Sequence, residues 1–286
     1  MSTDSAAVHV AIAPFDLTRT FALQQLGRFD PTARLDALAL IKWFAHAGGT
    51  SRLAVRRVST GVELSAEPGD AELLARWHPA WSVDDGHAAF EPEPRLLRLH
   101  RAYTGMRLVR VPWLFDVACG AILQQRVTFQ EAMSCWKRLA MAHGTRTASG
   151  EFAFPSPAQI TALPSWSYPA LRIDPRRGRA LYAQARAELA HPFLDLASDH
   201  ATLRKRLLAV PGVGPWTTEM TLGFGAADPD ALPVGDLHLP HLVAQALGKG
   251  PRGSDAQMVE WLEPYRGQRF RVARLALAHA FAARRR

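Results

Sequence analysis

Leu208-Ala209-Val210-Pro211-Gly212-Val213-Gly214-Pro215-Trp216-Thr217 is the stretch on which the reading of this chain turns. Before it, Leu203, Leu207, Leu208 and Val210 form an apolar stripe separated by Arg204, Lys205 and Arg206, which predicts an amphipathic helix over 200–210. Pro211 and Gly212 end that helix, because proline cannot extend the hydrogen-bond ladder and glycine accepts positive φ. Pro215 suits the first turn of a second helix, where its missing N–H costs nothing. The amides of Gly212 and Gly214 then lie at a helix start, which favours an anion such as phosphate. Working outward, Gly235-Asp236 precedes Pro240, and position alone favours reading that acid as a helix N-cap over a reactive carboxylate.

The hairpin string Val210–Thr217 resembles that of the helix-hairpin-helix DNA glycosylase superfamily. Leu232-Pro233-Val234-Gly235-Asp236-Leu237-His238-Leu239 is similar to the loop that bears its catalytic aspartate. Ala121-Ile122-Leu123-Gln124-Gln125-Arg126-Val127-Thr128 is similar to the turn that enters the minor groove. The resemblance covers roughly residues 100–286, with the motifs in the family's order, and is nearest the 3-methyladenine DNA glycosylase II type. It implies a catalytic Asp236 and an extruded nucleotide, since a base inside the stack cannot be reached. It implies that Gly212, Gly214 and Thr217 hold a phosphate, and that Gln125 and Arg126 fill the hole in the duplex. Relatives that also nick the strand carry a Schiff-base lysine where Trp216 stands, so hydrolysis without strand cleavage is expected. Trp216, Met220, Leu237 and Gln268 fall at base-pocket positions; at the last three, close relatives are aromatic, so a less aromatic pocket is expected. The carbonyls of Leu208, Val210 and Val213 match those holding a monovalent cation, sodium or potassium, and no other cofactor is implied. The run Arg266 to Arg274 resembles the closing helix, whose arginines would touch the DNA backbone.

Composition agrees with that expectation. Lys+Arg number 34 against Asp+Glu 26, a net charge of +8 supplied mostly by arginine, which favours a polyanionic partner. Cys119 and Cys135 are the two cysteines, in apolar helical patterns; they read as buried thiols and are too few for a four-cysteine iron–sulfur cluster. His238 and His241 lack further ligands at metal spacing. No apolar run reaches the roughly 18 residues of a membrane span, and no secretory leader pattern opens the chain. A soluble cytoplasmic monomer is therefore expected.

The expected class is α+β, a small antiparallel-sheet domain over 1–99 followed by a mainly helical helix-hairpin-helix glycosylase domain over 100–286, with Glu91-Pro92-Glu93-Pro94 breaking the chain near the boundary. Residues 1–7 read as disordered. Strands are expected at 8–15, 38–45, 53–58 and 62–65, the Leu35–Phe44 run reading alternatively as helix, with an Asp16-capped helix over 17–27 and another near 95–103. The functional expectation is removal of alkylated purines such as 3-methyladenine from damaged double-stranded DNA. Two alternatives stand beside it: a monofunctional glycosylase for deaminated or oxidised bases, and a non-catalytic DNA-binding module.

Overall fold

Alternating apolar residues build the N-terminal layer of this computed structural model, which describes residues 6–24, 29–46, 49–67, 71–81, 85–192 and 198–283. Strands β1 (Ala6–Val10), β2 (Ala33–Leu35), β3 (Ala39–His46), β4 (Gly49–Val58) and β5 (Gly61–Glu67) form an antiparallel sheet in the order β1-β5-β4-β3-β2. The β4–β5 hairpin closes Val58 on Gly61, whose φ of +153° and contact with the β1 backbone leave no room for a Cβ. Register places Leu40, Val55 and Leu64 in one row and Lys42, Leu53 and Ala66 in the next row of the same face. Every one of these residues is buried, so a lysine stands on the core face of the sheet. β1 begins at Ala6, inside the segment expected to be disordered, and stops at Val10 rather than 15; the Asp16-capped α1 (Leu17–Phe21) stops short of 27, and residues 1–5 and 25–28 lie outside the described residues.

Helix α2 (Ala71–Trp77) and a 3-10 turn (His78–Trp81), not foreseen from the sequence, close the sheet's core. The indoles of Trp77 and Trp81 both donate to the carbonyl of Arg110, at 3.0 and 2.9 Å. The helical layer follows: α3 (Pro94–Ala102), α4 (Leu114–Leu123), α5 (Phe129–His143), α6 (Pro157–Ala162), α7 (Ser167–Ala170), α8 (Pro175–Ala190), α9 (His200–Leu208), α10 (Pro215–Gly225), α11 (Leu239–Leu247), α12 (Asp255–Leu262) and α13 (Arg269–Ala283). A two-stranded ribbon, β6 (Thr145–Arg146) with β7 (Phe152–Ala153), interrupts it and ties to Pro31 through the Phe152 amide.

The chain thus has the α+β architecture, with one apolar core under the sheet and a larger one among the helices. The two meet without a clean linker. Helix α3 runs across residues 99 and 100 and packs on α11 and α13, while Val109, Val111 and Trp113 belong to the sheet's core.

The arginines of the last helix correct one expectation. Arg271 and Arg274 are 2% and 1% exposed. Arg271 pairs with Asp85, and Arg274 donates to the carbonyls of Arg19 and Thr20. Arg269 pairs with Asp230, and Arg266 with Glu263. Rather than facing a DNA backbone, α13 fastens the N-terminal layer to the helices. Buried guanidinium groups with several acceptors are well suited to that task.

Candidate active site

Hairpin residues 209–214 join α9 to α10 as the glycines predict. Leu203 and Leu207 bury one face of α9, and Asp199 caps it by accepting from the Thr202 amide at 2.8 Å. Arg204 reaches across to Glu219 and Asp228, both at 2.6 Å, locking α9 and α10 together. Gly212 has φ +86°, and a Cβ there would stand 2.8 Å from that of Ala180, so conformation and space both require glycine. Gly214 opens α10 with no side-chain cap and no neighbour within 4 Å of where a Cβ would lie. The first-turn amides of α10 are therefore left for an external anion.

Thr217 is 2% exposed, and its hydroxyl accepts from Gln125 Nε2 at 2.9 Å. It lies under the hairpin instead of facing a phosphate, which corrects the sequence expectation. The same Gln125 amide donates to the Gly212 carbonyl at 2.9 Å, so Gln125 clamps the hairpin to the turn after α4. Next to it Arg126 is exposed, has φ +57° and makes no hydrogen bond or ion pair with the described residues. A non-glycine residue in that region costs on the order of 1–2 kcal/mol. The surrounding turn, with Thr128 capping α5 through the Glu131 amide, holds it there.

Asp236 is half-buried in the loop before α11. Its Oδ1 accepts from the amides of His238 and Leu239, both at 2.8 Å, and its Oδ2 accepts from Trp216 Nε1 at 2.9 Å. The two readings of this acid coincide in one side chain: one oxygen caps a helix, and the other faces the hairpin helix. The loop is braced in turn by the Gly235 amide, which donates to Asp255.

A pocket of about 680 Å³, counting its open mouth, lies between the sheet and the helices. Met220 and Phe224 of α10, Gln124 at the end of α4, and Trp113 and Trp136 form much of its wall. Lys42 of β3 and Asp116 of α4 meet in it at 2.8 Å, with side chains 7% and 5% exposed. Lys42 also donates to Thr32 and stands over the Trp136 ring. Burial raises the Asp116 carboxyl above the ordinary 3.8, partly opposed by the Lys42 charge. Asp30, which accepts from the Trp136 indole, completes the polar lining.

Of the four expected pocket residues, only Met220 lines this space. Trp216 lies one turn before Met220 on α10 and engages Asp236. Leu237 is 78% exposed beside Asp236, because the two amides that follow it turn back onto that acid. Gln268 is drawn away by Arg271, to which its Oε1 is bonded at 2.8 Å, and it packs at Gly86. Sequence reasoning missed Lys42, Asp116 and Asp30. A lysine alternating with Leu40 and Phe44, and an acid inside the apolar run Leu114–Ala118, were the signals available. Cys119 and Cys135 are buried and free, as expected. His241 accepts from the Gly253 amide, and no cluster of possible metal ligands occurs among the described residues. No helix there is long and apolar enough to cross a membrane.

No family model matches the chain. A Mycobacterium tuberculosis protein named probable bifunctional transcriptional activator/DNA repair enzyme AlkA is 34% identical over 166 residues, 56% of this chain and 32% of that protein. A Bacillus subtilis DNA-3-methyladenine glycosylase is 24% identical over 183 residues, 60% of each. The chain therefore spans about a third and three fifths, respectively, of the curated relatives it matches. Among solved structures, the 3-methyladenine DNA glycosylase of Archaeoglobus fulgidus superposes with a TM-score of 0.74 at 15% identity, covering 96% of this chain and 99% of that one. The chain has the DNA glycosylase fold. The apo form of a Clostridium acetobutylicum 8-oxoguanine glycosylase/lyase shares it, with a TM-score of 0.68 at 15% identity over 97% and 96% of the two chains. The glycosylase fold accounts for the N-terminal layer as well as the hairpin, although the sequence resemblance began only near residue 100.

Proposed function

We propose that this protein is a monofunctional DNA glycosylase that extrudes an alkylated purine, such as 3-methyladenine, from damaged duplex DNA and hydrolyses its glycosidic bond. The observation that carries the reading is the Trp216–Asp236 pair: a carboxylate fixed by three hydrogen bonds beside a hairpin with an uncapped helix start. The named activities of the sequence relatives support it. Cleavage builds positive charge on the sugar, and a pre-positioned carboxylate stabilises that charge without reorganising. Water adds at C1′, the glycosidic electron pair leaves with the base, and the Asp236 carboxylate orients the water and receives its proton. An alkylated purine is already cationic, so no strong acid is needed to expel it.

Tryptophan at 216 leaves the hairpin without an amine for a Schiff base, and the strand is left intact at an abasic site. The amides at Gly212 and Gly214 would hold the phosphate, and Arg126 would enter the duplex where the nucleotide departs. The carbonyls of Leu208, Val210 and Val213 fit a sodium or potassium ion as neutral hard donors. Val210 already accepts from the Val213 amide at 3.0 Å, and a carbonyl has a second lone pair to offer. Such an ion would bridge hairpin and phosphate. The protein would work as a cytoplasmic monomer.

The test is base release from methylated duplex DNA by the wild type and by Asp236→Asn, with borohydride trapping as a second readout. The expected result is free 3-methyladenine, uncut abasic sites and no trapped adduct, with release lost and duplex binding kept in the variant. A wild type that binds DNA but releases nothing from a panel of alkylated, deaminated and oxidised lesions would refute the enzyme; a trapped adduct would refute the monofunctional mechanism.

A further inference from the structure

The Lys42–Asp116 pair is an expensive feature to find in a pocket wall. Taking two charges out of water costs several kcal/mol each, and an apolar pair of the same volume is often as stable or more so. Here the compensation is incomplete. Asp116 Oδ2 lies 2.8 Å from Lys42 Nζ, yet no hydrogen bond of ordinary geometry satisfies that oxygen among the described residues. Lys42 Nζ also donates to Thr32 Oγ1 at 2.8 Å. A buried carboxylate oxygen is thus left with capacity for a donor, in a wall that also holds Trp113 and a Trp136 ring stacked on Phe154. Asp30 also lines the space. Gln124 and Met220 connect this wall to the hairpin site: Gln125 clamps the hairpin, and Trp216, one turn before Met220, holds Asp236.

The geometry points to Lys42 and Asp116 as specificity-determining residues that read the charge of the extruded base, with Asp116 favouring a cationic ring and Lys42 limiting that preference. This rests on the glycosylase reading above and deepens it. An N7- or N3-alkylated purine carries positive charge over its ring while still attached to the sugar. The Asp116 carboxylate attracts that charge in a site of low dielectric. A neutral base such as hypoxanthine gains no such contribution. The Lys42 ammonium beside Asp116 offsets part of that attraction.

The two singly substituted proteins are expected to move lesion preference in opposite directions, which a purely structural pair would not do. Release of 7-methylguanine and of hypoxanthine from otherwise identical duplexes is measured under single turnover for the wild type, Asp116→Asn and Lys42→Gln. Asp116→Asn lowers the ratio of 7-methylguanine to hypoxanthine release at least fivefold, Lys42→Gln raises it, and the double variant returns within about twofold of the wild type. Unchanged ratios, or both moving in the same direction, overturn the inference. Should Asp116→Asn fail to fold, Lys42→Gln decides alone: a higher ratio supports the inference, and an equal or lower one overturns it. The same comparison is made by binding in the Asp236→Asn background, with duplexes holding 7-methylguanine or inosine. That arm needs no turnover, so a wild type that releases no base refutes the glycosylase reading while the binding ratios still decide the role of the pair.

Discussion

Replacing Trp216 with phenylalanine keeps an aromatic ring at the start of α10 and deletes the N–H that donates to Asp236 Oδ2 at 2.9 Å. A hydrogen bond to a charged group contributes about 1.5–3 kcal/mol. Asp236 and Trp216 are both half-buried, so water replaces part of that loss, and Oδ1 keeps its bonds to the His238 and Leu239 amides. The remaining effect is at the low end, about 1.4 kcal/mol, or tenfold in rate if the bond stabilises the transition state by that much more than the ground state. The assay is single-turnover base release alongside the Kd for an uncleavable abasic-site analogue. The expected outcome is a release rate down about tenfold, with the Kd within twofold and the melting temperature unchanged. A rate within twofold of the wild type would show that the indole does not position the reacting carboxylate. A weakened Kd with an unchanged rate would make Trp216 a DNA contact instead.

Gly212→Ala combines a φ of +86° with a Cβ 2.8 Å from that of Ala180; the expected cost is about 2 kcal/mol in urea unfolding and a weaker grip on duplex. Gly214→Ala, with open space around it, serves as the folding control and should match the wild type in urea unfolding. Arg126→Gly relieves a φ of +57° but removes the exposed cation, so stability should stay within about 1 kcal/mol while base release falls at least tenfold. Equal losses in both would deny that the strained turn serves function. His87 is held down to about 4 from 6.5 by burial and by the charges of Arg107, His100 and Arg271, and its Nε2 has no partner. Below pH 6.5 the unfolded chain takes up a proton there that the folded chain refuses, so stability falls as pH drops from 6.5 towards 4. His87→Leu should flatten that limb of a melting-temperature profile; an unchanged slope would remove His87 from the account.

Local spacing made the hairpin legible. Proline and glycine at fixed offsets dictate where α9 stops and α10 starts, and the acid twenty residues beyond Trp216 is within reach of that helix in any compact arrangement. The alternation of β3, β4 and β5 was equally local. Contacts between distant segments were not legible. Nothing near Arg271 or Arg274 announces that Asp85 and the carbonyls of Arg19 and Thr20 await them, so a basic run read as surface. Leu237 and Gln268 were placed by position in a motif, whereas capping amides and a neighbouring arginine decide where those side chains stand. Lys42 and Asp116 are 74 residues apart, and each alone looks like an irregularity in an apolar pattern.

Placing Trp216 and Met220 one turn apart on α10 puts the indole that holds the Asp236 carboxylate and a wall of the pocket on a single rigid element. Arg204 fixes that helix to α9 through Glu219 and Asp228, and Gln125 fixes its start to the turn after α4. A site that must hold reacting atoms within about 0.5 Å gains from such bracing. The opposite wall comes from β3, whose register sets Lys42 in a row with Leu53 and Ala66. A change of side chain at that sheet position alters what the pocket accepts without touching the bonds that hold Asp236. On the proposed reading, chemistry at the loop acid and recognition on the sheet are therefore separable by mutation. Their common boundary, the end of α4 at Gln124 and Gln125, is the place where a substitution should disturb both together.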